Sequence, residues 1–432
     1  MAMDSADPPD VGRIYQIHEV FSTGRTPDAT YNARLGAGLE TKLKGYVRTA
    51  SSAVTVFGPS KSGKTSLVER VIPETDACWI QGSDIQSIDD FWSIIADRLR
   101  IAKSLSSEES TQRAESLNAE GGLSAGGFAT AKYGAGQIDT DGSKTTANYD
   151  LKPEAAAKEL LAKLKLPIVI DDFHHVNPDI RKRIARAIKA IIRHTCVVLI
   201  AIPSQAFDPV RNEQDLNGRI KSLPVPEWTI DELAEIGVSG FDLLNLNDPK
   251  AALALELARY SFGSPHIMQE LCLTVLTEGF DIQESAETQE TISVPSNLQD
   301  LLRAAAIASE PPFFAKLIEG RPTRGKVRSA VKLTDSETET DIYGVVMQAL
   351  RNITPPMEHT LREIQQEVNR LSMDTVKRGR ITSVLRGLDA IASKNAGDSD
   401  PVLSYKDERL YIEDSVFAFY LNHGPWKFPT PV

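Results

Sequence analysis

One octapeptide constrains the fold of this 432-residue chain more than any other feature: GPSKSGKT, residues 58–65, fits the pattern G-x-x-x-x-G-K-[ST] without a mismatch. Residues 53–57 before it are apolar and β-branched, which predicts a buried strand, and a helical pattern begins at Lys64. In this context the backbone N–H groups of the loop converge on one point, and the positive end of the helix adds to their field. The octapeptide therefore predicts a phosphate-binding loop.

The residue types within this loop predict how a nucleotide is held. The ammonium of Lys64 supplies a point charge to the outer phosphates, and the hydroxyl of Thr65 is a ligand for Mg²⁺. We expect nine consecutive residues to contact the nucleotide: Gly58, Pro59, Ser60, Lys61, Ser62, Gly63, Lys64, Thr65 and Ser66.

A second motif lies about a hundred residues further along, where the apolar run LPIVI ends in two acids, Asp171 and Asp172. A carboxylate at the end of a buried strand is suited to hold Mg²⁺ together with Thr65, and we assign this role to Asp171. Asp172 is placed to polarise the attacking water. Because Asp is one methylene shorter than the Glu often found there, we expect slow hydrolysis.

Two adjacent histidines, His174 and His175, follow the two acids. They suggest a metal site, but the sequence shows no third ligand at a metal-binding spacing. The favoured interpretation is therefore that the histidines form supporting hydrogen bonds near Asp172.

The order of predicted elements indicates the fold class: an α/β protein with a three-layer P-loop NTPase core around a parallel sheet, a helical lid and a C-terminal winged helix-turn-helix. Strand and helix patterns alternate from residue 53, are interrupted by a Gly- and Ser-rich insertion over 104–149, and resume at 153. The insertion is either a mobile loop or an element that orders on meeting a partner. The expected domains are an N-terminal arm 1–30, the core 31–228, the lid 229–290 and the winged-helix domain 291–432.

Composition narrows the cellular setting and the partners. Lys and Arg total 48 against 59 for Asp and Glu, a net charge of -11, which argues against coating of nucleic acid by the whole surface. The basic stretch with Lys377, Arg378 and Arg380 leaves room for local contact with DNA phosphates, although a winged helix can equally pack against protein. Three widely spaced cysteines indicate buried reduced thiols, and with no apparent signal peptide or membrane span we expect a cytoplasmic protein.

Five segments in order, GPSKSGKTSL, LPIVIDDFHH, VVLIAIPS, NGRIKSLPVPEWTIDEL and YSFGSPHIMQELC, resemble the AAA+ ATPases, especially the branch near origin-recognition and transposition ATPases and the related STAND signalling ATPases. The resemblance covers about residues 30–290. It implies that Ser204 senses the γ-phosphate and that Arg219, or failing it Arg211, completes a neighbouring subunit's site. It also implies nucleotide contacts from Pro265 and His266, and from Arg34 in the segment YNARL.

The resemblance also implies a function. A protein of this kind binds ATP or ADP with Mg²⁺, hydrolyses ATP, forms ATP-dependent homo-oligomers and uses its nucleotide state to engage a partner. That partner is a separate effector in signalling or anti-phage defence in one alternative, and DNA, in a loader or a transposition or replication accessory, in the other. A plain enzyme acting on a further small substrate needs another catalytic constellation, and the sequence offers none.

Overall fold

The computed structural model describes residues 13–49, 52–99, 153–202, 218–322, 328–334, 339–396 and 401–428, together with Phe207, Val210 and Leu216. The predicted insertion over 104–149 lies outside these residues.

The centre of the core is a five-stranded parallel sheet in the order β2-β3-β4-β1-β5. The strands are β1 Ala53–Phe57, β2 Cys78–Gln81, β3 Ile168–Asp171, β4 Val197–Ala201 and β5 Ile220–Pro224. The three central strands, β1, β3 and β4, are apolar on both faces because helices cover both sides, as expected for a parallel sheet. This confirms the predicted fold class.

Helices cover both faces of the sheet, and alternating residues of one strand enter two different cores. Ile168 and Ile170 pack into one core, and Val169 between them packs into the other. The helices of the first face are α4 (88–99), α5 Pro153–Leu164 and α6 Pro178–Ile191. Those of the second face are α2 Leu39–Arg48 and α3 Lys64–Val71.

The lid follows β5 and consists of three helices. They are α7 Ile230–Leu243, α8 Ala252–Arg259 and α9 Pro265–Thr274, which continues as a π-helix over Val275–Gly279. The lid also contains a short parallel sheet, in which β6 Leu246–Asn247 pairs with β7 Glu290–Thr291. The sequence pattern predicts a helical lid and does not indicate these strands.

The C-terminal region has the element order of a winged helix-turn-helix. Its elements are α10 Leu298–Ala308, α11 Phe314–Glu319, β8 Val331–Lys332, β9 Glu339–Thr340, α12 Ile342–Ile353, β10 Glu358–Thr360, α13 Leu361–Leu371, α14 Arg378–Ala396, β11 Leu403–Lys406, β12 Arg409–Ile412 and α15 Ser415–His423. The strands β10, β12 and β11 form one antiparallel sheet. Phe417, Phe419 and Tyr420 are buried, as expected of core residues.

The lid and the C-terminal region share one continuous hydrophobic core. Phe262 of the lid packs edge-on against Phe419, with ring centroids 6.3 Å apart, and Tyr260 packs in the same way against His423 at 5.3 Å. The boundary predicted at residue 290 stays a prediction, but no break in the core marks it. The two regions therefore form a single packed body.

Part of the arm predicted over 1–30 packs on this same body. The short helix α1, Ile17–Val20, and Phe21 after it are buried against the lid, and the ring of Phe21 lies 5.8 Å from that of Phe241. Gly240 makes this approach possible, since a Cβ there would lie 2.2 Å from the Phe21 ring.

The three cysteines are buried and reduced, as the sequence predicts. Cys78, Cys196 and Cys272 are buried free thiols, and burial raises the pKa of Cys78 to about 12. Among the helices of the described residues, none is long and apolar enough to cross a membrane.

Candidate nucleotide site

The loop over residues 58–65 lies at the carboxyl end of β1, between the sheet and α3. Gly58 is needed because a Cβ at this position would lie 2.4 Å from the carbonyl oxygen of Val225. Gly63 has φ 82°, in the left-handed region that glycine adopts without strain, and it precedes the helix without a side-chain cap. The first N–H groups of α3 therefore remain available to an anion.

Lys64 and Thr65 lie at the start of α3 and form hydrogen bonds within the site. The Lys64 ammonium is buried and donates to the carbonyl oxygens of Gly58, at 3.2 Å, and Pro59, at 2.6 Å. The hydroxyl of Thr65 donates to Oδ2 of Asp171 at 2.9 Å. The structure thus joins the two predicted motifs, and a hydroxyl beside a carboxylate is the hard-oxygen donor set that fits Mg²⁺.

The two acids of β3 differ in their surroundings. Asp171 is buried, and burial together with the charge of Asp172 raises the pKa of its carboxyl group. Asp172 has φ 48° and ψ 45°, and its side chain is 48% exposed, so its carboxylate faces solvent at the edge of the sheet. The buried acid is placed to hold a cation, and the exposed one is free to orient water.

At Nδ1 of His174 the structure does not contain the expected supporting hydrogen bond. Nδ1 of His174 lies 4.0 Å from Oδ1 of Asp172, too far for the expected hydrogen bond, and this buried nitrogen has no hydrogen-bond partner. Burial and the neighbouring His175 lower the pKa of His174 to about 4. Donor atoms of Asp172, His174 and His175 lie within 4.8 Å of one another, a proximity that the spacing of these residues in the sequence does not indicate.

Arg34 lies at the wall of the cavity, but its guanidinium points into the protein. It forms a bidentate pair with Glu232, at 3.0 and 2.9 Å, and donates to the carbonyls of Pro226 and Glu227. The same group stacks on Trp228, whose Nε1 donates to the carbonyl of Ser62 at 2.9 Å. Arg34 therefore connects the N-terminal segment to the residues between β5 and the first turn of α7, while Trp228 contacts the phosphate loop.

A cavity of about 750 Å³ unites these groups, a size suited to a nucleotide. Pro265 and His266, at the start of α9, also line this cavity, and their contact with a nucleotide stays a prediction. Burial and the nearby Lys61 lower the pKa of His266, while Asp414 opposes this effect. Sequence reasoning missed one contribution: Pro401, Glu413 and Asp414 of the C-terminal region also line the cavity, and no local pattern indicates that.

Arg219 lies away from this cavity. It is exposed and precedes β5, next to the start of β1, where its carbonyl accepts from Ala53 N at 2.9 Å. The phosphate loop is at the other end of these parallel strands, about 15 Å away at 3.3 Å per residue. Arg219 therefore cannot reach its own cavity, and its role toward a neighbour stays a prediction. Ser204 and Arg211 lie outside the described residues.

The predicted DNA-contacting residues Lys377, Arg378 and Arg380 are all exposed at the start of α14. Arg378 pairs with Glu408 at 2.6 Å, and Arg380 donates to the carbonyl of Ser329 at 3.2 Å. Beside them is an open depression, to which three arginines and two hydroxyl residues contribute: Arg321, Arg378, Thr382, Ser383 and Arg386.

Comparison with known proteins gives a fold relationship. No protein-family model matches the chain, and no curated protein matches its sequence. Among solved structures, the Walker-type ATPase PABY2304 of Pyrococcus abyssi superposes with a TM-score of 0.52 at 13% identity, over 93% of this chain and 99% of that one. The Aeropyrum pernix ORC1 protein in complex with DNA gives a TM-score of 0.42 at 12% identity, over 94% and 96%. At such identities the likeness shows fold alone: this chain has a P-loop NTPase core and shares the overall fold of the Pyrococcus ATPase.

Proposed function

We propose that this protein is an Mg²⁺-dependent ATPase of the AAA+/STAND type that works as a nucleotide-controlled switch. The observation that carries the proposal is the cavity, which is lined at once by the phosphate loop, by Asp172, by the lid at His266 and by the C-terminal region at Asp414. A bound nucleotide would contact both the core and the body that packs over it. Its phosphates are therefore placed to set the angle between the two.

The chemistry follows from the residues at the end of the sheet. Mg²⁺ supplies a positive charge that draws electron density from the phosphates. Thr65 and Asp171 would hold the ion, Lys64 would leave its two loop carbonyls to meet the outer phosphates, and Asp172 would orient the attacking water. The short reach of the Asp172 side chain supports slow turnover.

Binding and hydrolysis can be separated by two substitutions. Lys64→Ala is expected to abolish binding of a fluorescent ATP analogue, whereas Lys42→Ala, on the exposed face of α2, is expected to leave affinity unchanged. Asp172→Asn is expected to retain binding and lose most of the hydrolysis. Wild-type affinity in Lys64→Ala would refute the site, and unaltered turnover in Asp172→Asn would place the base elsewhere.

The charge at the C-terminal wall supports a switch rather than a static lid. The carboxylate of Asp414 caps α15 by accepting from Phe417 N at 2.8 Å, and it acts electrostatically on His266 across the cavity. A γ-phosphate entering the cavity brings negative charge toward Asp414 and Glu413. ATP is therefore expected to loosen the contact between the C-terminal region and the core more than ADP does.

Asp414→Asn tests this step, because Asn caps a helix as well as Asp does and removes only the charge. Removing one negative charge from the wall of the cavity weakens its repulsion of the phosphates, so ATP affinity should rise severalfold. Affinity for ADP should rise less. An equal gain for both nucleotides would show that the carboxylate does not distinguish them.

Oligomerisation on ATP is part of the proposal, since Arg219 is exposed and remote from its own cavity. Sizing with a nonhydrolysable ATP analogue should give a larger species, and Arg219→Ala should lower turnover without lowering nucleotide affinity. A peak that stays monomeric would refute it. The assembled form would then engage a separate protein effector, in signalling or anti-phage defence.

DNA is the second candidate partner, favoured by the arginines around the start of α14. A duplex-binding assay should show affinity that falls with salt, with a slope reduced by neutralising Lys377, Arg378 and Arg380 together. Neutralising Arg183, Arg186 and Lys189 on α6 is the matched control. If the wild type does not bind the duplex, or if both triple variants lose duplex binding equally, the DNA contact at the start of α14 is refuted and the protein effector is left as the partner.

A further inference from the structure

We propose that Asp172, His174 and His175 form a binding site for a divalent transition metal such as Zn²⁺, separate from the Mg²⁺ position at Thr65 and Asp171. One carboxylate and two imidazoles within 4.8 Å of one another are the donors of this site. All three residues line the large cavity.

Local backbone geometry brings the three side chains together. Residues Phe173–His175 form a 3₁₀ turn, closed by a hydrogen bond from His175 N to the carbonyl of Asp172 at 2.9 Å. Asp172 precedes this turn in the left-handed region, with φ 48° and ψ 45°. The rings of His174 and His175 lie 4.1 Å apart.

An independent observation concerns Nδ1 of His174. The residue is 9% exposed, and this buried nitrogen has no hydrogen-bond partner. A buried polar atom without a partner is costly, and most such atoms in proteins are satisfied by protein, water or an ion. The nearest oxygen of Asp172 lies 4.0 Å away, which leaves space between the two for a bridging atom.

The distances suit a metal after a small movement. Metal-to-donor distances of about 2.0–2.2 Å place tetrahedral donors about 3.4 Å apart. The present separations of up to 4.8 Å therefore require the donor atoms to approach one another by up to roughly 1.4 Å. The half-exposed side chain of Asp172 can supply this by rotation.

The donor chemistry selects the class of metal. Imidazole nitrogen suits Zn²⁺, Co²⁺, Ni²⁺ and Fe²⁺, whereas Mg²⁺ and Ca²⁺ prefer oxygen. Three protein ligands leave a coordination position open, and here it faces the cavity. That position would take a water molecule or a phosphate oxygen of the nucleotide; only this last step rests on the proposed function.

The test is a titration of the full-length protein with Co²⁺ in the absence of nucleotide, followed by the visible absorption of the bound ion. We expect one equivalent to bind with the spectrum of a nitrogen- and oxygen-ligated site. His174→Ala and His175→Ala should each weaken binding about 100-fold or more. His194→Ala, at a half-buried histidine after α6, is the matched control and should bind as the wild type does.

Each outcome bears on the proposal. The site would be refuted if the wild-type protein showed no visible absorption of bound Co²⁺. It would also be refuted if this absorption were lost in His194→Ala, or if it persisted in the double variant of His174 and His175. Binding of a fluorescent ATP analogue with Mg²⁺ is measured separately on the same variants. It reports on folding and on the nucleotide site, so that failure of the nucleotide proposal is distinguishable from failure of the metal proposal.

Discussion

Replacing Arg34 by Met tests whether this residue is structural or contacts the nucleotide. The Arg34 side chain is 5% exposed, and four of its N–H groups are engaged: two with Glu232 and one each with the carbonyls of Pro226 and Glu227. Its guanidinium also lies 4.5 Å from the ring of Trp228. Met keeps much of the apolar volume and removes every one of these interactions.

The magnitude follows from the burial of the two partners. Breaking a buried ion pair costs about 3–5 kcal/mol because one charge is left unpaired. Glu232 is less buried than Arg34, with a side chain 24% exposed, and it keeps its hydrogen bonds within the cap of α7 at Thr229. The lower end of that range therefore applies, about 3 kcal/mol, with the two unpaired carbonyls included.

The assay is urea unfolding followed by tryptophan fluorescence, to which Trp228 contributes. Arg259→Met is the matched control: Arg259 also pairs with a Glu, Glu256, but its side chain is 62% exposed, so a change of about 0.5 kcal/mol or less is expected. Equal destabilisation by the two variants would refute the structural role of Arg34. An unchanged free energy of unfolding with greatly weakened ATP binding would instead restore its predicted contact with the nucleotide.

Two further predictions concern the turn after β3 and the joint between lid and C-terminal region. A Cβ at Gly82 would lie 2.2 Å from the carbonyl oxygen of Asp172. Gly82→Ala should therefore destabilise the protein by about 1–3 kcal/mol and lower ATP turnover more than ATP affinity. In the same unfolding and turnover assays, the control Gly45→Ala, in an open helical position, should be neutral or slightly stabilising. Burial, and to a smaller extent Arg351, lowers the pKa of His423 in the folded protein to about 4. In the unfolded chain this histidine has its ordinary pKa of 6.5, so between pH 6.5 and pH 4 the unfolded chain binds a proton that the folded protein does not. Stability should therefore fall by about 3 kcal/mol as the pH drops through this window. Thermal unfolding of His423→Phe should lack that part of the pH dependence, and a pH profile identical to that of the wild type would contradict the prediction.

Sequence patterns predict those parts of the site that depend on neighbours in the chain. The loop over residues 58–65 is defined by its own glycines, and Asp171 by the apolar strand before it. The parallel order of the strands then brings Thr65 and Asp171 to 2.9 Å, because the carboxyl ends of neighbouring strands share one edge.

The remaining features depend on contacts distant in sequence or on exact turn geometry. The burial of Phe21 requires Gly240, more than two hundred residues away, and the single hydrophobic core of lid and C-terminal region depends on pairs such as Phe262 and Phe419. The joining of Asp172 with the two histidines depends on a left-handed residue before a 3₁₀ turn. Hydrophobic periodicity carries no signal for either kind of arrangement.

The continuity of that core determines how a small site could act on a distant surface. Because the lid and the C-terminal region share one hydrophobic core, the proposed switch predicts that a displacement at Asp414 also moves the start of α14. Lys61 and Asp414 act on the pKa of His266 in opposite directions, the first lowering it and the second raising it. In the proposed switch, the negative charge of a nucleotide phosphate is attracted by Lys61 and repelled by Asp414, and it thereby favours one of two positions of the whole body.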